Sequence, residues 1–384
     1  MGVYSEYLDN LKGFQEITAE RKKQLARIAS IRKRPSILTI ASDLLKRGPI
    51  SIDYSDILPI ADQIDNLSGN EVDVILETPG GSAEIVEDIV KLLRNQFSKL
   101  GIIVPGTAKS AGTIMAMAGD EILMGPASSL GPIDAQVLHQ GKQFSADAFL
   151  EGLEKIKRVV EETGQLNRAY IPILQGISPG EIQSCENAQK FSGTLVTNWL
   201  ANFKFEPWTT HLSSGKPVTD EEKQSRAREI ADHLCDHGYW LTHNRSIKIE
   251  DFDQMRLKVI DYSKDPDLFD AIKRYYTLLR MTFDTNIYKL FETPTSQIYR
   301  FLIPPVPPPQ KEPGGEVAIV DFQCLKCQNK SRIQANLSKS QPLQEGAMPF
   351  PKNNMFVCPH CSTQSNLVDL RKQIEAQSKK NIVE

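Results

Sequence analysis

Residues 74–90 read VILETPGGSAEIVEDIV, and residues 106–136 read GTAKSAGTIMAMAGDEILMGPASSLGPIDAQ. Each begins at or just after a short apolar run, passes through a glycine-containing turn and enters a helical pattern. Val72–Leu76 and Ile102–Val104 are therefore expected as buried strands, followed by helices over 83–98 and from Ser110 to Ala118. Outward from there, SILTIAS at 36–42 reads as a strand, 55–67 as a helix and Glu121–Met124 as a further short strand. Residues 18–31 read as an amphipathic helix capped by Thr18. Strand–helix–strand alternation with short buried strands predicts a layered α/β fold with largely parallel pairing. The basic residues Arg21, Lys22, Lys23, Arg27, Arg32, Lys33 and Arg34 alternate with Leu25, Ile28 and Ile31 at helical spacing. That pattern predicts a helix with one solvated face.

The two turns, ETPGGS at 77–82 and GTAKSAG at 106–112, each follow a predicted strand. Strand ends are where open α/β sheets build their sites. Ser110 opens a helix of small residues, which places its hydroxyl beside unused backbone N–H groups. Paired glycines let the other backbone pass close to a bound carbonyl. The N–H groups of Gly81 and Ala111 are then expected to converge as an oxyanion hole, in which one donor is worth about 3–4 kcal/mol of transition-state stabilisation. Gly80 and Gly112 are the accompanying candidates for substrate contact.

These stretches resemble the serine dehydrogenase proteinase family, relatives of signal peptide peptidase A and of the Clp protease proteolytic subunit. The resemblance covers 30–140 and returns at Trp240–Asp261. It implies a Clp/crotonase-like layered βαβ core, with Ser110 as nucleophile and Gly81 and Ala111 as oxyanion donors. It further implies a polypeptide substrate lying extended beside the core, and self-assembly as a homo-oligomer.

A serine hydroxyl needs a neighbour to accept its proton. In the Clp subunit the histidine follows the segment that corresponds to Ser128–Gln136, which here reads SSLGPIDAQ and contains none. Two sources stay open. Signal peptide peptidases use a lysine, and Lys142 is the first downstream candidate, since a desolvated lysine can act as such a base. The segment 240–261 resembles the last helix–strand unit of the crotonase fold and contains His243, which Asp134 or Asp120 would orient. His139, His211 and His237 are lesser candidates. Lys109, next to the nucleophile, is expected to point away from its hydroxyl.

Past residue 144 long helical patterns dominate, with Leu257–Asp261 as a returning strand. The division expected is an N-terminal helical segment (1–35) and a hydrolase domain (36–262) with a large helical insertion (145–235). A helical arm (263–303), a proline-rich linker (304–315), a C-terminal β zinc ribbon (316–368) and a tail helix (369–384) follow. The ribbon rests on two knuckles, Cys324-x-x-Cys327 and Cys358-x-x-Cys361. Four thiolates in two chelating pairs predict one structural zinc per chain, on which so small a module depends for stability. No organic cofactor is expected. Cys185 and Cys235 fall in helical patterns and read as core residues.

With 40% hydrophobic and 24% charged residues among 384 and a net charge of -3, the composition is that of globular protein. It signals neither a nucleic-acid partner nor an anionic membrane. There is no transmembrane segment or signal peptide pattern, so the expected location is cytoplasmic. The function expected is an intracellular serine peptidase acting through an acyl-enzyme on Ser110. Two alternatives are carried: an acyl-CoA-handling crotonase enzyme, whose oxyanion hole serves thioesters equally, and a silent scaffold whose ribbon recruits a protein partner.

Overall fold

The computed structural model describes residues 2–11, 13–139, 142–211, 213–302 and 316–383, with the side chains of 138, 139, 142 and 143 outside that description. The chain forms two compact units, 1–303 and 304–384.

The first unit is built on a seven-stranded sheet. Its strands are β1 (Ser36–Ser42), β2 (Glu71–Glu77), β3 (Lys99–Val104), β4 (Glu121–Met124), β5 (Ile260–Asp261), β6 (Ile287–Glu292) and β7 (Gln297–Phe301), in the order β7-β6-β1-β2-β3-β4-β5. Strands β1 to β5 run parallel, while β6 is antiparallel to β1 and to β7. Successive residues of the central strands face opposite layers, as the pleat requires. Leu38, Ile40, Val74, Leu76, Ile102 and Val104 join one apolar core, and Ile37, Ala41, Ile75 and Ile103 the other.

Helices cover both faces. The second core is closed by α1 (Phe14–Arg32) and α8 (Pro266–Phe283), which pack on each other. Against the first lie α2 (Ile57–Asp65), α3 (Ala83–Gln96) and α4 (Ala111–Met117). The residues between β4 and β5 supply α5 (Ala146–Thr163), α6 (Pro179–Trp199) and α7 (Asp220–Cys235). Val196 and Leu200, at the end of α6, and Ile230 and Leu234 of α7 enter the same core as α4.

Four expectations are corrected here. First, α1 begins at Phe14 with Gly13 at its N-cap, and the Thr18 hydroxyl donates to the Phe14 carbonyl inside the helix. Second, the basic residues do not all lie on the solvated face: Lys23 and Lys33 are exposed, but Arg21, Arg32 and Arg34 turn inward. Arg21 is fully buried in a bidentate pair with Glu292, at 2.7 and 2.8 Å, while Arg32 and Arg34 both bind Asp73. Third, residues 263–303 are not a helical arm. Their first half is α8, but β6 and β7 complete the main sheet, with Leu290 and Phe291 buried in its two cores. The returning strand is shorter than expected, comprising only Ile260 and Asp261 beside β4.

In the second unit, strands Val317–Gln323 and Lys330–Leu337 pair antiparallel, Ala347–Pro349 lies parallel to the latter, and Met355–Val357 pairs with Gln364–Asn366. The tail is more than a helix. After Val368–Ser378 the chain turns back, and Ile382–Val383 pairs with Asn336 and Leu337. The proline-rich linker lies outside the described residues.

Candidate active site

The site grows from the C-terminal ends of two adjacent strands, β2 and β3. Their loops are tied together: Thr78 N donates to Thr107 O at 2.9 Å, and Lys109 N to Thr78 O at 3.0 Å. A buried carboxylate reinforces the tie, since Glu77 accepts from Thr107 N at 2.7 Å and from the Tyr276 hydroxyl at 3.0 Å. Burial pushes the Glu77 carboxyl up to about 7, against the opposing hydrogen bonds from Thr107 and Tyr276.

Ser110 is the N-cap of α4 and has φ 51 and ψ -118, a backbone that side chains other than glycine rarely adopt. Strain of this kind persists only where the surroundings hold it, and it turns the side chain out of the helix rather than into a capping bond. Gly80 makes the turn feasible. It has φ +108, and a Cβ there would lie 2.7 Å from the Ser110 Cβ. Gly81, at φ +151, lies against Ile52, whose carbonyl oxygen a Cβ would meet at 2.2 Å. Among the described residues neither Gly81 N–H nor Ala111 N–H donates a hydrogen bond, although Gly80 O accepts from Ile52 N and Gly112 N donates to Lys109 O.

Ser110, Gly81 and Ala111 border a cavity of about 390 Å³, together with His243 and Asp134. Ile114 of α4, Ile133, and Ala188 and Phe191 of α6 supply apolar wall. His243 Nδ1 donates to Asp134 Oδ1 at 2.6 Å, which leaves Nε2 as the nitrogen able to accept a proton. Asp134 is 1% exposed and fully engaged: its other oxygen accepts from His237 Nδ1 and from Gln136 Nε2, each at 2.9 Å. Burial alone would raise this carboxyl, but the hydrogen bonds from His243 and His237 outweigh it and hold it below the usual carboxylate range.

The remaining candidates are distributed as follows. Asp120 is committed elsewhere, to Arg94 at 2.8 Å and to the backbone N–H of Leu100 at 2.7 Å. Gly80 and Gly112 do not border the cavity. Gly112 packs on Thr78, whose methyl a Cβ would meet at 2.5 Å. Lys142 pairs through its backbone with His139 in a short hairpin, and both side chains lie outside the described residues. His211 bonds Glu222 at 3.1 Å. His237 joins His243 on Asp134, and nothing local in DHGYWLTH shows that two histidines six residues apart meet one aspartate about a hundred residues upstream.

Residues 9–167 match the family described as ClpP-like SDH-type serine proteinase. Over this segment, less than half of its length, the chain is similar to that family. The match includes Gly81, Ser110, Ala111 and Asp134 and stops short of His243. Two uncharacterised proteins of Methanocaldococcus jannaschii are similar to this chain. One is 37% identical over 93 residues, covering 24% of this chain and 30% of that protein; the other is 27% identical over 175 residues, covering 44% and 57%. The chain therefore spans 30% of the length of one of these relatives and 57% of the other. Among solved structures, the membrane-bound stomatin-specific protease 1510-N, in a mutant form, is 23% identical, with 30% of this chain and 60% of that chain covered and a TM-score of 0.22. A mutant ClpP1 from Listeria monocytogenes is 15% identical, with 41% and 91% covered and a TM-score of 0.21.

In the second unit the four cysteines of the two knuckles stand together, with all four Sγ atoms within 4.8 Å of one another. Cys324 and Cys361 are 3.6 Å apart, as are Cys327 and Cys358. Tetrahedral thiolates at about 2.3 Å from zinc would be about 3.8 Å apart, so the set fits a metal ion of that kind. The two knuckles are built alike. Cys324 O accepts from Gln328 N and Cys358 O from Ser362 N, and these fourth residues have φ 59 and 58. Ile333, Phe356 and Leu367 pack around the thiols. Of the other cysteines, Cys185 is buried and Cys235 half-buried.

Among the described residues no helix is long and apolar enough to cross a membrane.

Proposed function

We propose that this chain is a serine peptidase that cleaves polypeptides through an acyl-enzyme on Ser110, with His243 as general base and Asp134 as its orienting partner. The observation that carries the reading is that the Asp134-bound His243, Ser110 and the two undonated N–H groups of Gly81 and Ala111 border one cavity. Ser110 Oγ attacks the scissile carbonyl carbon as its proton passes to His243 Nε2. The carbonyl oxygen becomes an oxyanion that Gly81 N–H and Ala111 N–H receive. Collapse of the tetrahedral species breaks the C–N bond, and His243 returns the proton to the leaving amine. Water, deprotonated by His243, then attacks the ester, and as its C–O bond breaks His243 returns the proton to Ser110 Oγ. Asp134, with its carboxyl held ionised, keeps the Nδ1 proton in place and offsets the charge of the imidazolium.

The four cysteines supply a structural zinc site, which the matched knuckles and thiol spacing favour. The ribbon then serves to dock a protein partner or recruit substrate, and the peptidase works as a homo-oligomer. Thiolate ligands suit a reducing compartment, hence the cytoplasm.

A fluorophosphonate probe tests the central claim. Covalent labelling of Ser110, lost in Ser110→Ala, is expected of an activated serine and of neither alternative, the scaffold or the acyl-CoA enzyme. His243→Ala should abolish labelling and Lys142→Ala leave it. The reverse result transfers the base to Lys142, and no labelling of the wild type overturns the peptidase reading.

A further inference from the structure

Lys109 directly precedes Ser110, yet its side chain leaves the cavity and reaches the two segments that hold the other members of the site. Its Nζ donates to Leu130 O at 2.8 Å, to Arg245 O at 2.9 Å and to Ser246 Oγ at 3.1 Å. Three acceptors use all three hydrogens of an ammonium. Leu130 lies four residues before Asp134, and Arg245 two residues after His243. These segments are already joined to each other, since Leu130 and Ile247 exchange both backbone hydrogen bonds, at 3.1 and 3.0 Å. The lysine therefore pegs a preassembled Asp134–His243 unit to the turn that presents the nucleophile.

The surroundings are shaped for that stem. A Cβ on Gly131 would lie 2.6 Å from the Lys109 Cδ, so only glycine leaves the path open. Gly131 N also donates to the Thr113 hydroxyl at 2.9 Å, a second tie between the Asp134 segment and α4. The charged group facing Lys109 is Lys248, whose own Nζ is held by Ser128 O at 2.7 Å. Burial, followed by the charge of Lys248, lowers the Lys109 ammonium to about 8.

We propose that Lys109 is a positioning residue, whose ammonium holds the segments carrying Asp134 and His243 in register with Ser110. The inference rests on the peptidase reading for its catalytic consequence, but not for its geometry. Once Nζ loses a proton, its two N–H groups still serve Leu130 O and Arg245 O and its lone pair accepts from the Ser246 hydroxyl, but all three bonds become neutral, and neutral bonds are about half as strong as charge-assisted ones. Alignment should then loosen in mildly alkaline solution.

The test compares wild type, Lys109→Met and Lys109→Arg as full-length, zinc-loaded protein. Two readouts are taken: the rate of fluorophosphonate labelling at Ser110 against pH, and the downfield proton NMR signal of the His243 Nδ1–H bonded to Asp134, assigned by its loss in His243→Gln. Lys109→Met is expected to label at least about 10-fold more slowly and to broaden or lose the signal, in line with the sensitivity of such sites to small misplacement. Lys109→Arg is expected to restore both, and to move the alkaline loss of each to higher pH. Wild-type labelling with an unchanged signal in Lys109→Met overturns the proposal. Should that variant fail to fold, an alkaline limb in Lys109→Arg identical to the wild type overturns it equally. If the wild type itself is not labelled, the peptidase reading falls, and the NMR comparison still decides whether Lys109 positions His243.

Discussion

His243 donates its Nδ1–H to Asp134 at 2.6 Å, and His237 occupies the other oxygen of the same carboxylate at 2.9 Å. One buried aspartate thus orients two imidazoles, of which His243 borders the cavity with Ser110. Replacing Asp134 by Asn removes the acceptor that fixes the His243 tautomer. Peptide hydrolysis in Asp134→Asn should fall about 10³–10⁴-fold, the size of effect seen when a triad aspartate is neutralised. His237→Ala should cost far less, because it leaves the Asp134–His243 bond intact. Steady-state kinetics on a fluorogenic peptide separates the two, and equal losses would contradict the assigned roles.

Glu77 should make stability fall as pH rises. It titrates at about 7 in the fold against an ordinary 4.5. Between those values the unfolded chain has released a proton that the fold retains. The stabilisation is thus complete below the unfolded value and is lost as pH rises through about 7, with a span of about 3 kcal/mol. Glu77→Gln, neutral at every pH, should be more stable than wild type at pH ~8 by about 1–3 kcal/mol, the gap closing near pH ~5. Urea unfolding at the two values measures it, and a gap that widens toward acid would refute the origin given.

Gly81→Ala should silence the site. The added Cβ would meet Ile52 O at 2.2 Å, and φ +151 is strained for any side chain. Relief requires the turn to shift and carry the Gly81 N–H away from its place beside Ser110. Labelling of Ser110 should drop by about 10²–10³-fold, the effect of losing one oxyanion donor. Wild-type labelling by this variant would remove Gly81 from the mechanism.

The purified protein should contain about one zinc per chain, with sulfur ligands at about 2.3 Å by X-ray absorption. Cys358→Ser should reduce zinc content and unfold residues 316–383, read as lost amide protection there. Chelator should do the same to the wild type. A ribbon that keeps its protection without metal would show that Ile333, Phe356 and Leu367 suffice.

Features encoded within a few neighbouring residues were legible in the sequence alone. Strands β1 to β4, the Gly80–Gly81 turn, Ser110 at a helix start and the two cysteine knuckles all depend on local period, backbone freedom or ligand spacing, which adjacent residues set. Partnerships across long stretches of chain were not. The basic pattern of α1 concealed Arg21, because its charge is compensated by Glu292, 271 residues away. Apolar residues in 287–301 read as helix until β1 offered an edge to pair with. Asp134 and Asp120 were equivalent as candidates on paper; Arg94 and Lys99 draw Asp120 to the far end of the sheet, while His243 and His237 close on Asp134. The sequence by itself determined the turns that carry Ser110, Gly81 and Ala111. Only the tertiary structure decided what stands opposite them, because a buried charge takes its partner from whatever packing brings within hydrogen-bond reach.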